Sequence, residues 1–277
     1  MPTNQAVHVR HETRPGGAVA FVTLDNAAKL NVLNSALMEA FAEAFETLAT
    51  REDLRAIVLT GAGERAFVGG ADVNEMATLS DPGAARAFIG KVHGCCAAVR
   101  AAPVPVIARI GGYALGAGLE LAASCDLRVA AEGAVFGMPE VRLGIPSVVE
   151  AALLPGLVGW GRAREILLLG ETFDADAALA MGLVDAVVPA ADLDAAVEER
   201  LAALLAAGPR AVRLQKALIR AWEDLPLKDA IAAGIDTFAA AFETDEPART
   251  MAAWRARRRA RRVLEPPKNG PKRPSPV

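Results

Sequence analysis

The chain has 277 residues and a mass of 28.8 kDa, with 53% hydrophobic and 23% charged residues, a globular composition that can build a core without disulfides and is wrong for a disordered chain. Its formal net charge of −3 argues against a general nucleic-acid binder. The longest uncharged stretch, Ala151 to Gly161, has 11 residues and contains a proline, against the roughly 20 that a membrane-spanning helix needs.

Met1 to Arg10 lacks the apolar segment of a signal peptide. The three cysteines, Cys95, Cys96 and Cys125, give an odd count with two adjacent. That spacing fits neither a disulfide framework nor a zinc site, so reduced thiols in a cytoplasmic protein are expected. Ala18 to Leu24 is a β-rich run ending at Asp25-Asn26. Asn34 opens a helix whose Leu37, Met38, Phe41, Phe45 and Leu48 recur at helical spacing. Arg55 to Thr60 reads as a short buried strand closed by Gly61-Ala62-Gly63, Ala84 to Arg100 as a second helix, and Val104 to Ile110 as a strand broken by Gly111-Gly112. Gly116 to Ser124 is a short helix of small residues, followed by strands at Leu127 to Ala131 and Val135-Phe136. Alternating strands and helices imply an α/β protein with a largely parallel sheet.

The last third is helical at Glu165 to Gly170, Ala175 to Met181, Leu193 to Ala207, Pro209 to Trp222, Leu227 to Phe242 and Glu246 to Arg262, with one strand at Val184 to Val188. The expected organisation is an α/β core over 1–190 with the active site, a helical region over 191–263, and a disordered tail over 264–277 carrying five prolines.

Several site types are missing. There is no phosphate loop, no Gly-x-Ser-x-Gly elbow and no His-Glu-x-x-His, and Gly116-Ala117-Gly118 lacks the third glycine of a dinucleotide fingerprint. His8, His11 and His93 sit near the terminus or inside a helix, so a histidine triad is not expected. Two glycine-rich junctions remain, Ala66 to Asp72 and Gly111 to Glu120, each leading from a strand into a helix. Free N–H groups at such turns attract negative charge, and two facing junctions would form an oxyanion hole; a single such loop more often simply allows a tight turn and close packing. Glu120 lies one turn into an apolar helix, where a lone acid is expensive to bury unless paired or functional. Glu140 follows Phe136-Gly137-Met138-Pro139 at another loop. Two carboxylates around one water can divide acid and base roles.

These segments resemble the crotonase, or enoyl-CoA hydratase/isomerase, superfamily over roughly Val19 to Arg258. Ala66-Phe67-Val68-Gly69-Gly70-Ala71-Asp72 is similar to the family's Ala-Phe-x-x-Gly-Ala-Asp. Gly112 to Glu120 resembles Gly-x-Ala-x-Gly-Gly-Gly-x-Glu, and Phe136 to Glu140 resembles Phe-Gly-x-Pro-Glu. Three ordered motifs within about 75 residues are more specific than any one alone. The resemblance implies a right-handed spiral of ββα units with a helical C-terminal region that builds homotrimers or hexamers, and an acyl-CoA thioester substrate. Metal-ligand clusters are missing from the sequence, so no metal or redox cofactor is expected; coenzyme A enters as part of the substrate. By motif position the N–H groups of Ala71 and Ala117 form the oxyanion hole. The loop Ala27 to Leu33 resembles the segment that wraps the adenine, with Lys29 as a phosphate contact, and Leu30, Ala66, Gly70, Asp72, Val73 and Gly116 join it around the substrate. Glu120 and Glu140 stand where the hydratases carry two glutamates, which implies syn hydration of a 2-enoyl-CoA, Glu120 holding and activating the water and Glu140 delivering a proton to the α-carbon.

Two departures bear on the acyl pocket. The family usually has glycine where Ala117 stands, and Ser147-Val148-Val149-Glu150 replaces a glycine-rich stretch. Val148, Val149 and the third acid Glu150 either reshape that pocket or, for Glu150, turn to a neighbouring helix or solvent. Among enzymes, the alternative is a Δ3-Δ2-enoyl-CoA isomerase, in which one carboxylate moves a proton between carbons. A different class of alternative is a non-enzymatic RNA-binding relative, using the basic run Trp254 to Arg262 with Lys268, Lys272 and Arg273.

Overall fold

The computed structural model describes residues 5–264. Apart from Leu264, the tail expected over 264–277, with Lys268, Lys272 and Arg273, lies outside them. The chain opens with β1 (Ala6–Arg14) and β2 (Gly17–Asp25), an antiparallel hairpin. It continues through α1 (Ser35–Ala49), β3 (Leu54–Gly61), β4 (Ala66–Val68), α2 (Val73–Met76), α3 (Pro82–Ala101), β5 (Val106–Ile110), β6 (Tyr113–Leu115) and α4 (Ala117–Ala123). Next come β7 (Leu127–Ala131), β8 (Val135–Gly137), α5 (Leu154–Leu169), β9 (Thr172–Asp174), α6 (Ala175–Ala180), β10 (Ala186–Val188) and α7 (Leu193–Ala206). The helices α8 (Pro209–Asp224), α9 (Leu227–Ala241) and α10 (Glu246–Leu264) follow.

Six strands form one sheet in the order β1-β2-β3-β5-β7-β10, parallel except for the β1–β2 pair. The second sheet, β4-β6-β8-β9, is parallel from β4 to β8, with β9 antiparallel at its edge. β1 carries His8, Arg10 and Glu12 on an exposed edge, so its polar composition hid it from hydrophobic patterning. The central strand β3 is a near-continuous buried run because both of its faces are covered. Leu54, Ile57 and Leu59 join the main core with α1 and α3; Ala56 and Val58 turn to the other face, where Leu193, Val197 and Leu201 of α7 close a second core.

Local sequence sets the helix starts. The Asn34 side chain accepts from Leu37 N and caps α1, whose Leu37, Met38, Phe41, Phe45 and Leu48 form one buried stripe. Asp81 accepts from Gly83 N and Ala84 N to cap α3, with Pro82 in the first turn. The buried stripe of α3 runs through Phe88, Val92, Cys95, Cys96 and Val99, which leaves His93 off it. α5 starts eleven residues before the expected Glu165, at Leu154, and is broken at Gly159 (φ 76°, ψ 157°).

Residues up to Arg220 form one compact unit, so α7 and most of α8 belong with the sheets rather than with a region starting at 191. The buried Arg55 guanidinium donates to Leu204 O at 2.9 Å and Ala207 O at 2.7 Å, and the buried Lys216 ammonium donates to Val104 O at 2.9 Å and Asp126 Oδ2 at 2.7 Å. These bonds tie the end of α7 to β3 and the middle of α8 to the segments that enter β5 and β7. The second unit begins at Ala221. Within it, Trp222 Nε1 donates to Ala230 O at 2.9 Å, and the Phe238 and Phe242 rings lie 5.2 Å apart. Leu227, Ile231, Ile235, Phe238 and Phe242 of this unit are all exposed at helical spacing, an apolar stripe along α9. α10 exposes Trp254 with the Arg258 guanidinium 5.2 Å from its ring. Among the described residues, no helix is long and apolar enough to cross a membrane.

Candidate active site

The two glycine-rich junctions end side by side, because β4 and β6 pair in parallel. After β4, Leu33 N donates to Gly70 O at 2.9 Å and Asp72 N to Leu33 O at 2.8 Å. In that extended pairing the intervening Ala71 N–H points the opposite way. After β6, Ala117 is the first residue of α4, and its N–H has no intrahelical acceptor. Both alanines line a cavity of about 130 Å³. Gly116 (φ 51°, ψ −122°) adopts a backbone conformation that only glycine takes readily, and a Cβ there would overlap Glu140 Oε1. Gly118 packs directly on β4, where a Cβ would collide with Val68 O.

Glu120 is buried within α4, and its Oε1 accepts from Ala151 N at 3.0 Å. Burial pushes its carboxyl up to about 8; the Ala151 N–H opposes this, and the nearby Glu140 and Glu150 carboxylates add to it. Glu140 sits in a 3-10 turn, Pro139–Leu143, closed by Gly144 in the left-handed conformation. Its Oε2 accepts from Ser147 Oγ at 2.8 Å. Both glutamates line the cavity, together with Gly70, Val73, Gly116 and Val148.

Six other expected residues are not in that lining. Asp72 is buried and caps α2, accepting from Asn74 N at 2.9 Å, with the Lys29 ammonium 3.9 Å away. Leu30 holds the junction through its carbonyl, which accepts from Gly69 N at 2.8 Å. Ala66 is buried in β4. Val149 packs against the core, and Glu150 turns to α3, where its Oε1 meets His93 Nδ1 at 2.8 Å.

Sequence reasoning passed over several contributors. Asn31 is fully buried at φ 55°; its Oδ1 accepts from Asn26 N at 3.0 Å, and its Nδ2 donates to Ala62 O at 3.0 Å and Ala66 O at 2.9 Å. This pins the Ala27 to Leu33 loop against the first junction. The apolar wall adds Met76, Ile89, Leu143, Ile145 and Pro146. An asparagine five residues after Asp25-Asn26 was the available signal for the loop; the Ser147 and His93 contacts depend on chain reversals that no local pattern encodes. A larger cavity of about 660 Å³, lined by α5, β9 and α6 residues such as Ile166, Phe173 and Met181, holds neither of the two glutamates nor the junction amides.

The arrangement is two N–H groups and two carboxyl groups around one small, partly apolar cavity. It can hold a carbonyl oxygen as negative charge builds on it, and move a proton beside it. Residues 14–261 match the family described as enoyl-CoA hydratase/isomerase. The chain is 35% identical over 246 residues to a short-chain-enoyl-CoA hydratase of Clostridium acetobutylicum, covering 88% of this chain and 93% of that protein. It is also 35% identical over 243 residues to a putative enoyl-CoA hydratase/isomerase of Bacillus subtilis, covering 87% and 93%. A crystal structure of an enoyl-CoA hydratase from Bacillus anthracis superimposes with a TM-score of 0.86 at 31% identity, covering 91% of this chain and 97% of that one. With its α/β crotonase fold and C-terminal helices, this chain belongs to the enoyl-CoA hydratase/isomerase family.

Proposed function

We propose that this protein adds water across the double bond of a 2-enoyl-CoA to give a 3-hydroxyacyl-CoA. The observation that carries this reading is that Glu120 and Glu140 line one cavity together with Ala71 and Ala117. The thioester oxygen sits between the Ala71 and Ala117 N–H groups, which stabilise the enolate character that develops as hydroxyl reaches the β-carbon. One water, held by both glutamates, supplies that hydroxyl. Glu120 accepts the water's proton and Glu140 gives one to the α-carbon, so the pair must enter the cycle with one proton. In the empty site burial keeps that proton on Glu120; the water hydrogen-bonded to both passes it to Glu140. Once pH rises through about 8 the last proton leaves Glu120, and hydration falls.

Lys29, half-exposed in the pinned loop, supplies a cation for a coenzyme A phosphate. The exposed stripe Leu227, Ile231, Ile235, Phe238 and Phe242 supports self-association into a trimer or hexamer. The three cysteines are free and buried, which suits the cytoplasm.

The test is the ultraviolet band of the conjugated enoyl thioester, followed with short, branched and aromatic 2-enoyl-CoAs and with mass detection of added water. Loss of the band with gain of water is expected. An unchanged band on every 2-enoyl-CoA, with a 3-enoyl-CoA gaining it, would replace hydration by isomerisation.

A further inference from the structure

Behind the cavity, a third carboxylate is built into the protein. Glu150 is 7% exposed, and its Oε1 lies 2.8 Å from Nδ1 of His93, whose side chain is 57% exposed on α3. Against a carboxylate acceptor, the donor is the Nδ1–H. Its other oxygen, Oε2, is buried with no hydrogen-bond partner among the described residues. A buried carboxylate oxygen without a donor is costly and rarely retained without a purpose.

The turn around it is strained. Val149, a β-branched residue, is held at φ 40°, in the region that favours glycine. Such a conformation persists where surrounding contacts over-determine it. Two contacts follow it on successive residues: His93 holds Glu150, and Ala151 N donates to Val148 O at 2.9 Å and to Glu120 Oε1 at 3.0 Å. The 3-10 turn Val149–Leu153 therefore joins α3 to α4 through the two glutamates.

We propose that His93 and Glu150 are positioning residues for Glu120: the tether to α3 locks the 149–153 turn so that the Ala151 N–H fixes one carboxyl oxygen of Glu120 and leaves the other to the reaction, while Glu150 sets a negative charge behind it. This rests on reading Glu120 as a catalytic carboxylate. The charges around Glu120 agree with it. Glu140 acts from the 139–143 turn and Glu150 from the 149–153 turn, both favouring the protonated form of Glu120. From α3, His93 pairs with Glu150, and the buried Cys96 thiol, raised first by burial and then by Glu150, stays neutral beside them. Among the described residues nothing donates to Oε2, so none of them offsets the Glu150 charge on that side.

The experiment compares wild type with Glu120→Gln, His93→Ala and Glu150→Gln, measuring kcat and KM for crotonyl-CoA, a short 2-enoyl-CoA, against pH. His93→Ala changes an exposed side chain, and Glu150→Gln keeps an acceptor oxygen for Nδ1–H while removing the charge. His93→Ala is expected to lower kcat by about tenfold or more with KM within about twofold, as a misplaced catalytic group does. Glu150→Gln is expected to move the alkaline fall in kcat to lower pH by about half a unit or more, because a negative neighbour that held the proton on Glu120 is gone. Turnover retained in Glu120→Gln removes the reading of Glu120, and this inference with it. An inactive Glu120→Gln beside wild-type kcat and an unmoved alkaline limb in the other two overturns the positioning role alone. Lower kcat in both with an unmoved limb marks a merely structural contact and also overturns it.

Discussion

Replacing Glu120 by glutamine should abolish turnover and, at alkaline pH, stabilise the fold. In the folded protein burial holds this carboxyl at about 8, against an ordinary value of 4.5. Below 4.5 both folded and unfolded chains carry the proton. Between 4.5 and about 8 only the folded chain does, so stability falls as pH rises, at up to about 1.4 kcal/mol per pH unit. Above about 8 the buried charge is present and the loss is complete. From pH 5 to pH 8 this amounts to on the order of 3–4 kcal/mol. Glutamine has similar shape, retains an oxygen for the Ala151 N–H, and does not titrate. The assay is guanidinium unfolding of wild type and Glu120→Gln at pH 5, 6.5 and 8 at one protein concentration, taking the difference at each pH so that other titrating groups cancel. The expected difference grows in favour of the variant by on the order of 3 kcal/mol between pH 5 and 8. A difference that stays flat across that range would refute the claim that burial controls the Glu120 proton.

Three other outcomes follow from the geometry. Gly116→Ala puts a Cβ into the space of Glu140 Oε1 at a backbone angle alanine resists; kcat/KM for a 2-enoyl-CoA should fall by about 100-fold or more, and a near-normal value would show that Glu140 need not sit there. Asn31→Ala strips the donors from Ala62 O and Ala66 O and the acceptor from Asn26 N; a loss of about 3 kcal/mol, and of roughly 6–12 °C in Tm, is expected by scanning calorimetry. On the proposed self-association through the exposed α9 stripe, light scattering should find an oligomer for the wild type and a monomer for Ile235→Asp combined with Phe238→Asp; an oligomeric double variant would move the interface elsewhere, and a monomeric wild type would refute the association.

Much of the fold and of the candidate site was legible because it is written in short segments. The Asn34 cap and the α1 stripe, the both-faces-buried run of β3, and the glycines flanking Ala71 and Ala117 each follow from local backbone and packing demands. Glu120 taken alone reads as a solvated surface residue even in an apolar helix, and the two junctions and Glu140 around it were what marked it as a candidate. Local pattern was silent where polar residues form ordered structure. β1 reads as charged because it is an edge strand, and β4, β6 and β9 are too short for periodicity to register. α7 looks like any amphipathic helix, yet Arg55 and the second core bind it to the sheet.

By itself the sequence determined the family, the order of the motifs and which two glutamates are candidates for the site, because motif order and residue type are properties of the chain. The tertiary structure decided where the unit boundary falls, that Asp72 caps a helix, that Asn31 pins the loop, and that Glu150 turns to His93 instead of into the cavity lining. Each of these depends on a partner that is remote in sequence or on a turn of the backbone, such as Val149 at φ 40°, that only the packed protein enforces.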